Sequence, residues 1–157
     1  MKRVVVLGRG GAGKSVLAQR IGKVTGLPVT ELDQIFWSSD LRPTPRDRWD
    51  DIQRELVAGT KWVLDGDLGH NDSLQSRLAS ADTVIILDFG VLRCAWRAIR
   101  RSRERTDFWW WLLSWKRRSR PTVVAGVARW APDADVHVLR SPHDVDQFLA
   151  AAATSSR

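Results

Sequence analysis

The sequence predicts an α/β fold of three layers: a five-stranded parallel sheet with helices on both faces. Three observations predict it. Short apolar runs rich in β-branched residues alternate with helical patterns along the chain, as in parallel sheets covered on both sides. Residues 8–15 read GRGGAGKS and sit between the first apolar run and the first helical pattern. Three aspartates, Asp33, Asp65 and Asp88, each follow a predicted strand, where parallel sheets bind their ligands.

Each element has its own signal. Val4–Leu7 is a continuous apolar run, as a strand buried on both faces requires. A helix follows from Lys14 to about Thr25, ended by Gly26-Leu27-Pro28. Val29–Leu32 reads as a short second strand. Thr44-Pro45 opens a helix, with proline in its first turn, that runs to about Ala58 and stops at Gly59. Trp62–Leu64 is the third strand, closed by Asp65-Gly66. Asn71 to Ala79 is helical in pattern, Thr83–Leu87 is the fourth strand, and Val91 to about Arg105 is a basic helix. Val136–Leu139 is the fifth strand. Ser141-Pro142 opens a last helix carrying Val145, Phe148 and Leu149 on one face. No repeat or low-complexity linker divides the chain, and 157 residues suit a single domain over 1–157.

GRGGAGKS matches G-x-x-x-x-G-K-[ST], with Gly8, Gly13, Lys14 and Ser15 in the defining places. A strand before and a helix after are the setting that motif needs, so the fold class narrows to a P-loop NTPase. Gly8, Gly10, Gly11 and Gly13, with Ala12 among them, let successive backbone N–H groups turn inward around phosphate oxygens. The helix that follows aims its positive end at the same anion. Lys14 then reaches the β- and γ-phosphates of ATP, and the Ser15 hydroxyl is a ligand for Mg²⁺. Val16 completes the nucleotide-binding run, without a hydroxyl to help hold the α-phosphate.

A phosphotransferase also needs a carboxylate to hold magnesium, directly or through water, and it uses another to orient or deprotonate the acceptor hydroxyl. Asp65, in WVLDGD, is assigned to the magnesium shell, and Asp33, in TELDQIFW, to the acceptor. Asp88 is a third candidate. The competing reading is that each aspartate caps a turn.

Composition bounds the rest. One cysteine, Cys94, excludes an internal disulfide framework, and no apolar stretch approaches a membrane span, so a cytoplasmic protein is expected. His70, His137 and His143 have no metal-ligand spacing. The net charge of +7 is local: residues 93–120 hold ten basic and two acidic residues, +8, which leaves −1 elsewhere. That segment contains TDFWWWLLSWKRRSRP, four tryptophans within seven positions. Arg97, Arg101 and Arg105 share one helical face, and arginine forks suit a transferring phosphoryl group. Phe108, Trp111 and Trp115 share a stripe that packs a helix onto the domain, while Trp109 or Trp110 is left to stack on a base or ring. A membrane-surface helix and a nucleic-acid patch use similar material. No DNA- or RNA-binding motif accompanies it.

The P-loop, LPVxxLDxxFW, TPRxxW, WVxDG, ADTVIxLDF, xxRxRP and LRSxxxVxxFL occur in this order from Lys2 to about Leu149. Together they resemble the bacterial topology modulation protein group, small adenylate-kinase-like P-loop kinases. The resemblance implies a nucleoside-monophosphate-kinase-like fold with an acceptor arm at about 33–60 and a short lid at about 100–121. It implies that Gly8 to Ser15 bind ATP and Mg²⁺, and that Asp33, Phe36, Trp37 and Arg46 line the acceptor site. Asp65 and Gly66 match the step after the third strand that faces acceptor and magnesium. Arg97 and Arg101 fall on the helix leading into the lid, and Arg120-Pro121 on its far side. Arg140-Ser141-Pro142 falls where such kinases pass their backbone against adenine. The chain departs from the group after Gly66, where it reads DLGHND and supplies no arginine before Arg77.

The function expected is ATP- and Mg²⁺-dependent phosphoryl transfer to a small molecule, either a nucleoside monophosphate or, on that missing arginine, a small hydroxylated metabolite. The alternative is an ATP-binding regulatory protein acting on nucleic acid or a protein partner. The oligomeric state stays open.

Overall fold

The computed structural model describes residues 1–37, 40, 42–66, 74–90, 94 and 106–155; within 106–114 and at 116, 118 and 155 it describes the backbone alone. Strands β1 (Arg3–Gly8), β2 (Val29–Glu31), β3 (Trp62–Asp65), β4 (Thr83–Leu87) and β5 (Asp135–Leu139) form one parallel sheet in the order β2-β3-β1-β4-β5. The described helices are α1 (Lys14–Thr25), α2 (Leu32–Phe36), α3 (Arg46–Val57), α4 (Leu74–Ser80), α5 (Thr106–Trp130) and α6 (Pro142–Ser155).

The central strand explains the apolar run. Val4 to Leu7 are fully buried, and they alternate between two cores. Val4 and Val6 pack with Leu17 and Ile21 of α1 and with Val145 and Leu149 of α6. Val5 and Leu7 pack with Phe36 of α2, Trp49 of α3, Leu78 of α4 and Trp115 of α5. A strand covered on both faces has no polar side to present, so its sequence does not alternate.

The register sets the site. Val6 lies beside Asp65 on one neighbour and Ile85 on the other, and Gly8 lies beside Leu87. The segment after β1 therefore leaves the middle of the carboxyl edge, with Asp65 ending one adjoining strand and Asp88 just beyond the end of the other.

Two elements differ from expectation. The second strand stops at Glu31, and Leu32 opens α2, which puts Asp33 in a helix's first turn, where a carboxylate suits the dipole. Of the segment read as a lid, about 100–121, residues 106–121 are part of one 25-residue helix that continues through Pro121 to Trp130, and residues 100–105 lie outside the described residues. An interior proline costs about 3 kcal/mol through its missing N–H and its ring clash. Burying Trp115, Val123 and Val127 in the second core offsets it, at about 1.5–3 kcal/mol for each large apolar side chain. Residues 71–73 of the expected fourth-strand-preceding helix, and all but Cys94 of the expected basic helix at 91–105, lie outside the described residues. Among the described residues no helix is long and apolar enough to cross a membrane.

Trp115 is thus a core residue on a helix whose composition suggests a surface. Trp115→Ala is expected to lower unfolding free energy in urea by about 3–5 kcal/mol. Val124→Ala, at an exposed position of the same helix, should stay within about 0.5 kcal/mol. Equal, small effects would place α5 off the core.

Candidate active site

The loop after β1 is shaped by close approach. Gly8 has φ of 142°, and a Cβ there would lie 2.5 Å from the Leu87 carbonyl oxygen of β4. Gly11 has φ of 73°, and its Cβ would lie 2.6 Å from the Cys94 carbonyl oxygen. Both positions exclude any side chain. The Ala12 N–H donates to the Arg9 carbonyl at 3.2 Å, and Leu17 N–H to the Gly13 carbonyl at 3.0 Å. Gly13 caps α1 with no side-chain hydrogen bond, so the first-turn N–H groups are left for an anion. Lys14 Nζ folds back to the Arg9 carbonyl at 3.4 Å. Ser15 and Val16 are exposed at the mouth, and Gly10 is buried behind it.

Asp65 closes one side of the loop. It is 3% exposed, and its Oδ1 has no hydrogen-bond partner among the described residues. Burial pushes its carboxyl above the ordinary 3.8, against the pull of the Lys14 ammonium and a hydrogen bond from the Ser15 side chain. The Asp33 and Glu31 carboxylates add to the rise. Four groups chosen from the sequence, Lys14, Ser15, Asp33 and Asp65, therefore interact across one site. An unpartnered buried carboxylate oxygen beside a serine hydroxyl is a donor set that suits Mg²⁺, which takes one or two protein oxygens and fills its other positions with phosphate and water.

The segment expected to form the acceptor arm is assembled around aromatic edges. Phe36 is buried, with ring centroids 4.9 Å from Trp37 and 5.1 Å from Trp49, both edge-on. Trp37 is exposed and bridges to Pro43. Asp33 is exposed on α2, and Arg46 is exposed at the start of α3. Of the aromatic pair assigned to the acceptor, Phe36 is core and Trp37 faces solvent. Gly66 has φ of 149°, and its carbonyl accepts from Arg77 Nη1 at 3.1 Å. Arg77 is fully buried, so the nearest arginine after Asp65 braces the backbone of that step.

A second cleft is separate from this arm. Ala12, Gly13, Leu87, Phe89, Pro142 and Val145 line a shallow cleft between the loop and the start of α6. The Ser141 hydroxyl accepts from Asp144 N–H at 3.2 Å and donates to the Asp144 carboxylate at 2.6 Å, so it caps α6 while Pro142 meets the cleft. Arg120 Nε donates to Asp88 Oδ2 at 3.0 Å, which brings Arg120 to the end of β4. Arg97 and Arg101 lie outside the described residues.

Sequence reasoning missed three buried polar groups. Trp49 Nε1 and both amide atoms of Gln53 are buried on α3 without partners among the described residues. Arg9, an unspecified position of the motif, is 3% exposed, and its guanidinium carbon lies 5.6 Å from the Trp115 ring centroid. Its Nε and Nη1 have no hydrogen-bond partner among the described residues. The signal was a charged residue in a turn otherwise built of glycine and alanine.

No protein-family model and no curated protein matches the chain. Solved structures match its fold over nearly the whole length. A shikimate kinase from Acinetobacter baumannii in complex with shikimate has a TM-score of 0.63 at 14% identity, covering 96% of this chain and 90% of that one. A gluconokinase from Sinorhizobium meliloti has a TM-score of 0.61 at 20% identity, covering 99% and 93%. A sugar kinase from Janibacter sp. has a TM-score of 0.54 at 21% identity, covering 98% and 93%. The chain has the fold of the small P-loop kinases.

The raised Asp65 carboxyl has a sign that can be tested. The folded protein holds this proton more tightly than the unfolded chain does. Its ionised form is the destabilised one, and stability falls as pH rises from the ordinary aspartate value toward the raised one. Asp65→Asn removes that loss. The ligand-free variant is expected to gain on the wild type as pH rises through this window and to hold a constant lead above it, in thermal unfolding. Parallel curves would show Asp65 to be unstrained.

Proposed function

We propose that the protein is an ATP- and Mg²⁺-dependent phosphotransferase whose acceptor is a small hydroxylated molecule. The observation that carries this reading is the buried, unpartnered Asp65 oxygen beside Ser15 and Lys14. An uncapped helix N-terminus binds many anions. A P-loop lysine and serine facing a carboxylate suit a nucleotide phosphate with its metal.

Each group then has a task. The loop N–H groups and the start of α1 bind the phosphates. Lys14 exchanges the Arg9 carbonyl for phosphate oxygens. Ser15 and Asp65 would hold Mg²⁺, which would supply positive charge to offset that of the phosphates. Asp33 orients the acceptor hydroxyl and takes its proton as the hydroxyl oxygen attacks the γ-phosphorus and the bond to ADP breaks. Arg97 and Arg101 are assigned to the γ-phosphoryl oxygens on the sequence pattern alone. The cleft at Pro142 suits the base, with Arg120 near it. Phe36, Trp37, Arg46 and Gly66 belong to the acceptor side, within an arm at about 33–60.

Two things favour a hydroxylated metabolite over a nucleoside monophosphate. The similar structures are named for gluconate, shikimate and sugar. The step after Asp65 offers no free arginine, since Arg77 is bound to the Gly66 carbonyl. Within the small P-loop kinases we place the chain with the topology modulation group, on the motifs quoted above.

ADP release from Mg·ATP should rise with one class of acceptor in a panel of nucleoside monophosphates, sugars, polyols and hydroxy acids. Lys14→Ala should lower the accelerated rate by about 10²-fold or more. Asp33→Asn should lower kcat by about 10²–10⁴-fold and leave ATP affinity within about twofold. ATP binding with a flat panel would sink the kinase reading and favour a nucleotide-controlled regulatory protein.

A further inference from the structure

Arg9 is an arginine in an unusual position. It stands between Gly8 and Gly10, and its own carbonyl accepts from both Lys14 and Ala12. Its guanidinium lies over the fully buried Trp115 of α5. Nε and Nη1 are out of reach of solvent and donate to nothing among the described residues, and no described carboxylate pairs with the group. An arginine cannot shed its proton to escape such a site, as a lysine could. A ring face offsets part of the charge and accepts no in-plane N–H. Both donors lie in the guanidinium plane, and each meets a carboxylate or phosphate oxygen in a charge-assisted hydrogen bond.

The side chain also lies on one particular face of the sheet. Trp115 belongs to the core that holds Phe36 and Trp49 of the arm. The cleft beside Pro142 draws on Ala12, Leu87 and Phe89, which belong to the opposite core. The Arg9 side chain is therefore on the acceptor face, while the loop backbone of the same residue serves Lys14.

We infer that Arg9 is a ligand-binding residue of the transfer site: its guanidinium, braced by Trp115, receives an oxyanion when the site fills. The face it occupies points to an acid group on the acceptor, so the substrate class narrows to hydroxy acids. The γ-phosphoryl group of the nucleotide is the other source of the same chemistry. This inference rests on the phosphotransferase reading for the identity of both sources.

The test uses calorimetry on the full chain with Mg·ADP present. The probes are acid and neutral pairs: gluconate and glucitol, glycerate and glycerol, shikimate and its methyl ester. At least one acid is expected to bind about tenfold or more tightly than its neutral partner. Arg9→Gln should abolish that ratio and leave the Kd of Mg·ADP within about twofold. If Arg9→Gln instead weakens a non-hydrolysable ATP analogue about tenfold relative to ADP, the oxyanion is the γ-phosphoryl group. Arg9→Met supplies a readout that a merely structural arginine would move the other way. Ligand-free Arg9→Met should melt a few degrees above the wild type, because an unpaired buried charge is gone. A lower melting point, or no ratio changed by more than about twofold, overturns the proposal. Acid selectivity lost in Arg9→Gln but without any ADP release would remove the kinase reading and leave the oxyanion site standing.

Discussion

The site depends on β1 being the central strand of a sheet covered on both faces. That position forces four buried apolar residues in a row, Val4 to Leu7, and leaves no room for a side chain at Gly8 against the Leu87 carbonyl. The chain can only leave the strand as a glycine turn. The same centrality fixes what stands beside that turn. Asp65 arrives by register with Val6 on one side, and β4 delivers Asp88 on the other. The phosphate loop and its carboxylates are thus products of one packing constraint. A substitution that loosened β1 would displace both.

Polar groups buried without partners cost stability, at about 1–3 kcal/mol for a neutral donor or acceptor and several kcal/mol for a charge. Cation–π contact with Trp115 returns about 0.5–2 kcal/mol to Arg9, which is less than that cost. Asp65 is in the same position, with burial as the dominant influence on its proton. Trp49 and Gln53 add neutral examples on α3, the helix of the acceptor arm. A core built for stability alone would use apolar residues at such places. Concentrating these groups around one loop and one arm is the arrangement expected where a ligand supplies the missing partners.

Much of this was legible in the sequence. Strand order aside, all five strands were expected close to where they lie, and GRGGAGKS fixed the loop because its chemistry is local: backbone N–H groups, one lysine and one serine. Asp65 was readable because the end of a strand is a position in the sequence. Asp33 was readable as a residue, but its setting was not, because Leu32 and Glu31 allow either strand or helix and tertiary packing decides. The course of α5 was hidden by Pro121, whose local cost argues for a break. Burial of Trp115, Val123 and Val127 in a core shared with β1, β3 and β4, all distant in the chain, overrides it. Arg9 was hidden for the same reason. Its motif position carries no rule, and its significance lies in a contact with a residue far along the chain.

The two cores divide the labour of the site. The face of α1 and α6 carries the cleft beside Pro142, and the face of α2, α3 and α5 carries the arm. In the proposed reading, phosphoryl transfer crosses from one to the other, and the loop after β1 is the segment that touches both. Arg9 makes this concrete. Its carbonyl holds Lys14, and its side chain is pressed on Trp115 on the opposite core. Under the proposals above, filling the nucleotide side would release that carbonyl, and filling the acceptor side would supply a partner for that guanidinium. One residue's backbone and side chain thus contact the two faces separately, and a small shift of the loop is felt at both. Trp115 limits how large that shift can be, because a fully buried tryptophan in a close-packed core does not move freely.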